Sequence, residues 1–394
     1  MGEETVYLLR ILKDFVWCGK TEFEEQVNWG KLMELANIHG VTGIVCYMAM
    51  SNPRESTAPM MPWVRRQCLS TISLYSRRAE QMKLLIRQMT ELGIDHLLFK
   101  GYVLREYYPV PELRTFGDID FLIRPGDREK SHGLMMEDGF QTKNDWEPVY
   151  SYYKGTEYYE IHTDVMEVDV SDKADYKGYF KHIWDHAVQT GPHTWELTPE
   201  FHFLYLLTHI AKHISGSGAG IRMYMDIAVF IKHFGNTIDW QYIAGELEVL
   251  KFTDFANVVL TVVENYFGVE SPLPLKMIDG EILNDFMAYT MRGGTFGHVK
   301  RDAGLISLKK ERRNEESVSR TAAFLHRLFP SANQLEKRYT YLQGKHWLLP
   351  AAWVHRFFRT KDTWEAHMQE ARSIMNTDTE EVLRLKRIYK EIGL

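Results

Sequence analysis

Two carboxylates lie two residues apart beside a short apolar run of this chain. Asp118 and Asp120 alternate with the apolar residues of segment 119–123, and in an extended strand this spacing places both side chains on one face. Carboxylates this close cannot both stay ionised unless something positive lies between them. Mg²⁺ takes oxygen ligands and binds through one or two carboxylates together with substrate phosphates. The spacing therefore predicts a magnesium site, and it predicts that neutralising either acid leaves the metal-free fold as stable or more stable.

A Lys-Gly pair lies upstream of these acids. Residues 97–99 form an apolar run that ends at Lys100-Gly101, and one or two helical turns follow before Pro109, which is the order strand, turn, helix. Glycine lets a phosphate approach the backbone closely, and lysine can meet its charge. Arg114 adds a bidentate donor. We predict that these three residues bind phosphate; the alternative is an ordinary solvated strand end.

These motifs together resemble those of the DNA polymerase β-type nucleotidyltransferase superfamily, in particular a bacterial branch with a Lys-Gly turn, a downstream Arg and an Asp-x-Asp strand. The residues that carry the resemblance are Lys100-Gly101, Arg114 and Asp118 to Phe121. The superfamily usually has Gly-Ser or Gly-Gly at the start of the helix and a shorter distance to the acids, so Lys-Gly-Tyr is a departure.

The resemblance implies an enzyme that moves a nucleoside monophosphate from an NTP, ATP or CTP, to an unidentified acceptor and releases pyrophosphate. Two Mg²⁺ ions, which Mn²⁺ can replace, would be held by Asp118, Asp120 and a third acid. Lys100, Gly101 and Arg114 would bind the triphosphate. Catalysis of this kind rests on positioning and electrostatic stabilisation more than on covalent chemistry.

Two residues are candidates for the third acid. Glu160, in Tyr159-Glu160-Ile161-His162, matches the family's acid two residues before a His, and it is our choice as catalytic residue and metal ligand. Asp169 is the rival. Glu160 could also be an edge-strand charge that discourages aggregation. A strand His such as His162 is more often hydrogen-bonded than a ligand, although it could ligate a metal or hold Glu160.

A second informative region follows at residues 201–231. His209 and His213 lie four apart on one helix face, and Asp226 follows a Gly-rich turn, so a His/His/Asp metal-dependent hydrolase is one alternative. The resemblance instead makes Lys212, His213 and Arg222 contacts of the acceptor or of phosphate. Arg222 and Asp226, spaced i and i+4, are interpreted first as a structural ion pair.

Hydrophobic periodicity predicts the surrounding elements. Two or three amphipathic helices are expected in residues 4–50 and a long helix in 63–92, with strands at 149–153, 158–161 and 165–170 and helical composition from 176 onward. The apolar face of the long helix is assigned to Leu69, Ile72, Leu84, Leu85 and Met89.

These elements predict an α+β fold, in which a small mixed β-sheet nucleotidyltransferase core is flanked by N-terminal helices and a large C-terminal helical region. A sheet of this size would be marginal alone, so helices should cover its faces. The predicted division is an N-terminal helical region at 1–92, the core at 93–175 and a C-terminal helical domain at 176–394.

Composition excludes several classes of protein. With 394 residues, of which 45% are hydrophobic and 25% charged, the chain is long enough for two or three cores. A net charge of −6 disfavours long nucleic acids as partners. Three cysteines without CxxC spacing argue against a disulfide framework or a thiolate zinc site. No apolar run approaches the length of a membrane span, so we expect a cytoplasmic protein without a membrane partner.

A competing function is a catalytically silent nucleotide-binding or partner-binding module on the same fold, because fold does not determine function. The two hypotheses differ in one structural feature. An enzyme needs a third carboxylate that meets Asp118 and Asp120 in space.

Overall fold

The computed structural model describes residues 2–23, 27–53, 55–146, 148–166, 170–216, 218–295, 320–336, 339–359, 368 and 372–394. The chain forms two compact units, one of Met1–Phe296 with Gly393–Leu394 and one of Gly297–Ile392. The predicted boundaries near 92 and 175 separate regions by their type of secondary structure and not by compactness, and they stay a prediction.

The first unit contains a sheet and twelve of the described α-helices. Its helices are α1 (Glu3–Val16), α2 (Trp29–Ile38), α3 (Thr42–Ser51), α4 (Met61–Glu91), α5 (Gly101–Leu104), α6 (Arg128–Glu137), α7 (Tyr176–Phe180), α8 (Pro199–Gly216), α9 (Ile221–Phe234), α10 (Trp240–Val249), α11 (Thr253–Phe267) and α12 (Gly280–Gly293). Its strands are β1 (His96–Leu98), β2 (Ile119–Ile123), β3 (Gln141–Trp146), β4 (Val149–Lys154), β5 (Glu157–His162), β6 (Ala187–Gly191) and β7 (Thr194–Leu197).

These seven strands form one mixed sheet in the order β3-β4-β5-β2-β1-β7-β6. Strand β2 lies at the centre, antiparallel to β1 and parallel to β5. Strand β7 is parallel to β1, and the remaining neighbours are antiparallel. The predicted α+β fold, with N-terminal helices and a C-terminal helical region around a small mixed sheet, is confirmed.

Strand β2 separates a hydrophobic core from the polar side of the sheet. Side chains alternate along a strand, so three apolar residues of β2 face one side and Asp120 faces the other. On the apolar side a core cluster joins the sheet to residues of α4 and α6, and it includes Ile119, Phe121, Ile123, Met82, Leu85, Met89, Leu134, Met135, Tyr159 and Ile161. Packing of the apolar face against α4 and α6 thus fixes the position of β2, and with it the position of the Asp120 side chain on the opposite face.

The long helix α4 confirms the predicted helix but not its predicted face. Leu85 and Met89 are buried, whereas Leu69 and Leu84 are 59% and 54% exposed. The buried positions follow a 3.6-residue period that runs through Met61, Val64, Cys68, Ala79, Met82, Leu85 and Met89. Leu69 follows buried Cys68, and Leu84 precedes buried Leu85. One residue along a helix is a rotation of about 100°, so both leucines point away from the core.

The prediction of helical composition from residue 176 onward was wrong between 187 and 197, where β6 and β7 complete the sheet. Their sequences, AVQTG and TWEL, carry little of the apolar alternation that marks a strand. The strand predicted at 165–170 is not formed at Val165 and Met166. Val170 is also outside any strand, and residues 167–169, including Asp169, lie outside the described residues.

Helices α8 and α9 pack against the polar side of the sheet. Helix α8 begins at Pro199, and the hydroxyl of Thr198 accepts a hydrogen bond from the N–H of Phe201 at 3.4 Å. Gly220 precedes α9, where a Cβ atom would lie 2.9 Å from the backbone of Gly294 and Thr295. A glycine is needed at this close approach.

The start of the first unit is tied to its end near α9. The N–H of Thr295 donates to the carbonyl of Ile38 at 2.7 Å. Buried His39 donates from Nε2 to the carbonyl of Met291 at 3.1 Å and accepts the N–H of Ile221 on Nδ1 at 3.2 Å. Burial lowers the pKa of His39 to about 4, so the ring is neutral, as this pair of bonds requires.

The second unit contains the helices α13 (Arg320–Leu328), α14 (Ala332–Leu335), α15 (Leu349–Arg359) and α16 (Thr379–Glu391). A small core joins α14 to α15 through Leu335, Tyr339, Leu342 and Ala352. The side chain of Asp378 caps α16 by accepting the N–H of Glu380.

None of the helices that the structure describes is both long enough and apolar enough to cross a bilayer.

Candidate active site

A cavity of about 480 Å³ opens on the polar side of the sheet in the first unit. Its volume lies within the range of small-molecule sites. The turn after β1, the start of β2, and one face each of α8 and α9 line it, with the side chains Lys100, Arg114, Asp118, Asp120, Tyr158, His209, His213, Arg222 and Asp226 among its walls. Most of the predicted site residues therefore meet at one place.

Asp120 is a buried acid of this cavity, and Lys100 and His162 are its hydrogen-bond donors. Its Oδ1 accepts a hydrogen bond from Lys100 Nζ at 2.7 Å and another from His162 Nε2 at 3.0 Å. Burial would raise the pKa of the Asp120 carboxyl, but Lys100 and His162 outweigh it and hold the pKa well below its usual range. Asp120 is therefore ionised.

Glu160 lies beside Asp120 because β2 and β5 pair in parallel with Asp120 opposite Glu160. The alternation of β5 places Tyr158 and His162 on the same face. Burial, together with the charges of Asp120 and Asp118, raises the pKa of Glu160 to about 7. The structure thus brings the predicted third acid next to the central one.

Asp118 lies at the mouth of the cavity, one step before β2. Its surface is open to solvent, but the surrounding walls still remove part of its hydration. This desolvation and the charge of Asp120 raise the pKa of Asp118, while Lys100 opposes the shift. The pKa values of Asp118 and Glu160, the two acids beside Asp120, are thus both raised, by desolvation first and by the neighbouring carboxylates second.

The residues present fit a divalent cation. Within the part of the chain that the structure describes, Asp120, Glu160 and His162 form the one group of possible ligands whose ligand atoms all lie within 4.8 Å of one another. The buried Nδ1 of His162 has no hydrogen-bond partner among the described residues. Carboxylate oxygens suit Mg²⁺ and Mn²⁺, and His162 orients Asp120, as partners of metal ligands commonly do.

Lys100, a predicted triphosphate contact, lines the cavity close to the acids. Its ammonium bonds to Asp120, and it also shares a hydrogen bond with the buried Tyr205. Its backbone has φ 58° and ψ −137°, a region that residues other than glycine rarely occupy. Burial would lower the pKa of Lys100, but Asp120, Tyr205 and Asp118 outweigh it and raise the pKa. Lys100 is therefore a cation fixed against the acids.

Arg114 and Asp226 form a buried ion pair across the site. Arg114 donates from Nε and Nη2 to the two carboxylate oxygens of Asp226 at 3.0 and 2.6 Å, and the hydroxyl of Tyr108 donates to Asp226 at 2.7 Å. The predicted ion pair of Arg222 with Asp226 was wrong, because the side chain of Arg222 reaches Thr115 instead, at 2.8 Å.

Close packing against Arg114 explains why residue 101 is a glycine. A Cβ atom there would lie 2.5 Å from Nη1 of Arg114, whose guanidinium is held by Asp226. The glycine therefore gives room to an arginine, in the place where the sequence suggested room for a phosphate.

Arg222 and His213 line the far wall of the cavity, whereas Lys212 is not among its lining residues. Burial and the nearby charge of Arg114 lower the pKa of Arg222, and its Nε has no hydrogen-bond partner among the described residues. Burial lowers the pKa of His213 to about 4. This wall thus combines a desolvated arginine with a neutral imidazole.

The geometry does not favour a hydrolase centred on His209, His213 and Asp226. Convergence of these three residues away from Asp118 would favour such an enzyme, but all three line the same cavity as Asp118. Both oxygens of Asp226 are also taken by Arg114 and Tyr108.

Sequence reasoning missed three residues of this site. Tyr108 supports Asp226, Tyr205 contacts Lys100, and Thr115 links Arg222 to the carbonyl of Gly40, to which its hydroxyl donates at 2.6 Å. None of them belongs to a local motif, so their roles follow only from the folded contacts.

A central strand with two acids, a neighbouring strand with a third and a Lys-Gly turn against them define the class of protein that the sequence predicted, a nucleotidyltransferase. A family model described as "Uncharacterised nucleotidyltransferase" matches residues 25–268, more than half of the chain. The chain belongs to this family. No curated protein and no solved structure matches the chain.

Proposed function

We propose that the protein transfers a nucleoside monophosphate from ATP or CTP to an acceptor and releases pyrophosphate, with Mg²⁺ bound by the acids of the cavity. The observation that supports this proposal is the position of Asp120, which lines the cavity together with Asp118 and lies opposite Glu160 on the neighbouring strand, within one cluster of possible metal ligands. A catalytically silent module has no need of three carboxylates that raise one another's pKa, whereas a cation site does.

Each acid has a role that its surroundings support. Asp118 and Asp120 would hold the ions, and Glu160 would hold one of them and help to deprotonate and orient the acceptor hydroxyl through that ion. Bound Mg²⁺ would neutralise the charge on the triphosphate and on the departing pyrophosphate.

Arg222 and the neutral imidazole of His213 would contact the substrates. Both line the cavity and would bind phosphate or the acceptor, as the sequence predicted, whereas Lys212 is not among the lining residues. Lys100 and Gly101 stay candidates for the triphosphate. Arg114 would act through Asp226, because its donors are already committed.

Calorimetric titration of ATP and CTP in EDTA and in Mg²⁺ tests the proposal. We expect measurable binding only with Mg²⁺, because the ionised acids repel a free triphosphate. The variant Asp120→Asn should lose this difference, and Asp127→Asn, at the surface turn after β2, is the matched control that should keep it. Equal affinity in EDTA and Mg²⁺ would contradict a metal clamp.

One observation favours the silent module as a second candidate. Asp120 already carries a counter-charge from Lys100, so the fold has a positive partner for its central acid without metal. A silent module would bind nucleotide with the same affinity in EDTA, and it would release no pyrophosphate from NTP in the presence of Mg²⁺ and any candidate acceptor.

A further inference from the structure

The ion pair of Lys100 with Asp120 lies where a metal ligand would be needed. Both side chains are buried, at 15% and 7% exposure, and Nζ is 2.7 Å from Oδ1. The same oxygen also accepts the hydrogen bond from His162. A cation that binds Asp120 through this oxygen must therefore compete with the ammonium for it.

The backbone conformation and the neighbouring side chains hold this ammonium in place. Lys100 has a left-handed φ of 58°, which a non-glycine residue adopts only when its surroundings hold it there. Nζ also lies 5.3 Å from the centre of the Phe99 ring, within the range of a cation–π contact, and Tyr205 bonds to it. The lysine is thus built into the acid cluster.

One ammonium does not balance the cluster. It faces three carboxylates, since Asp118 and Asp120 line the cavity with it and Glu160 lies opposite Asp120 on the neighbouring strand. A divalent ion supplies twice the charge at the same place, so it is the better partner for three acids.

We propose that Lys100 is the resident counter-cation of the acid cluster, and that a divalent metal ion binds by displacing its ammonium from Asp120. The inference rests on the proposed function for the identity of the metal. The lysine sets the affinity for the metal, and once displaced it is free to meet the phosphates of a nucleotide in the same cavity. Metal and nucleotide then bind together more readily than either binds alone.

Titration of Mn²⁺ without nucleotide, followed by calorimetry and by the loss of free Mn²⁺ signal in electron paramagnetic resonance, tests this competition. Lys100→Met removes the charge and keeps the length of the side chain. We expect it to bind Mn²⁺ roughly ten- to hundredfold more tightly than wild type, the range that corresponds to one charge-assisted hydrogen bond. Lys130→Met, on the exposed side of α6, makes the same change of net charge and should leave the affinity unchanged. Equal or weaker Mn²⁺ binding by Lys100→Met overturns the proposal.

A second readout separates competition from a merely structural role. At saturating Mn²⁺, Lys100→Met should bind ATP or CTP more weakly than wild type, because it lacks the displaced ammonium. If the variant unfolds easily without metal, Mn²⁺ should raise its melting temperature by more than it raises that of wild type; an equal or smaller rise also overturns the proposal.

The variant Asp120→Asn distinguishes this failure from failure of the proposed function. If it abolishes Mn²⁺ binding while Lys100→Met leaves binding unchanged, the metal site stands and the counter-cation does not. If wild type, Asp120→Asn and Lys100→Met all fail to bind Mn²⁺, the metal site and the counter-cation both fail.

Discussion

At the scale of single residues, two acids of identical type have opposite surroundings. Asp120 pairs with Lys100 and His162, which hold its pKa low, whereas the pKa of Asp118 is raised. The sequence predicted that neutralising either acid leaves the metal-free fold equally or more stable. The structure keeps that prediction for Asp118 and reverses it for Asp120.

We therefore predict that Asp120→Asn lowers the free energy of unfolding by about 3 kcal/mol, because it leaves the buried ammonium of Lys100 without its partner. Asp118→Asn should change it by less than about 0.5 kcal/mol or raise it. Urea unfolding in EDTA measures both. Both variants should lose nucleotidyl transfer. Equal destabilisation by the two substitutions would mean that the Lys100–Asp120 ion pair does not contribute to the free energy of unfolding.

Glu160 gives a prediction about pH. Its pKa in the fold is about 7, above the ordinary value of 4.5, so between these values the native state binds more protons than the unfolded state. The free energy of unfolding contributed by this group therefore falls as pH rises through this window. Glu160→Gln should remove that fall, a difference on the order of 1 to 3 kcal/mol between pH about 5 and 8.

The difference between wild type and Glu160→Gln, measured by urea unfolding in EDTA over this pH range, isolates the group. Glu137→Gln, at an exposed position at the end of α6, is the control. A constant difference between wild type and Glu160→Gln at all pH values would show that the Glu160 carboxyl is not perturbed.

The site was predictable from the sequence only where its residues share a strand or a motif. The spacing of Asp118 and Asp120, and of Glu160 and His162, follows from alternation along β2 and β5. The partner of Arg114 is 112 residues away, and no pattern of types or spacing points to it. Pairs of this kind are set by tertiary packing, which local sequence does not encode.

At the scale of elements, the turn between β1 and α5 depends on one missing side chain. Gly101→Ala would place a Cβ atom 2.5 Å from the Arg114 guanidinium, and we predict a loss of about 1 to 3 kcal/mol in the free energy of unfolding. Gly117→Ala is the matched control, since its Cβ would meet nothing within 4 Å. Chemical denaturation measures the free energy of unfolding of both variants, and similar free energies for the two would contradict this prediction.

The Arg114–Asp226 pair ties the segment before β2 to α9. Arg114→Ala leaves the buried carboxylate of Asp226 with a hydrogen bond from Tyr108 but without its cation, and we predict a loss of about 3 to 5 kcal/mol in the free energy of unfolding. Arg87→Ala, on the exposed side of α4, should change stability by less than about 0.5 kcal/mol. A fully stable Arg114→Ala variant with weakened triphosphate binding would instead make this arginine a direct phosphate contact.

Elements with strong periodicity were predicted well, and those without it were not. The apolar β2 and the long α4 follow from sequence alone. Strands β6 and β7 do not, because β7 exists through its parallel pairing with β1, a contact between segments about a hundred residues apart. Propensity is a weak guide where such pairing decides the structure.

At the scale of the whole molecule, the net charge of −6 and a cavity of about 480 Å³ favour a small anionic substrate brought in with metal over a long polyanion. We predict that fluorescently labelled duplex DNA and single-stranded RNA show no saturable anisotropy change at physiological salt. Mg²⁺ with ATP or CTP should raise the melting temperature under the same conditions. Saturable oligonucleotide binding that weakens steeply with added salt would contradict this.

The hydrogen bonds that join Ile38 and His39 to Thr295 and Met291 also bear on how the protein is made. Gly40 and Thr295 both line the cavity, yet some 250 residues of synthesis separate them. On the ribosome, α2 emerges early and cannot make these bonds until the end of α12 has left the exit tunnel. The segment with the acids of β2 emerges long before that moment, so a nascent chain carries these acids in a cavity that is still open on one side, and emergence of the last turn of α12 is the step that closes it.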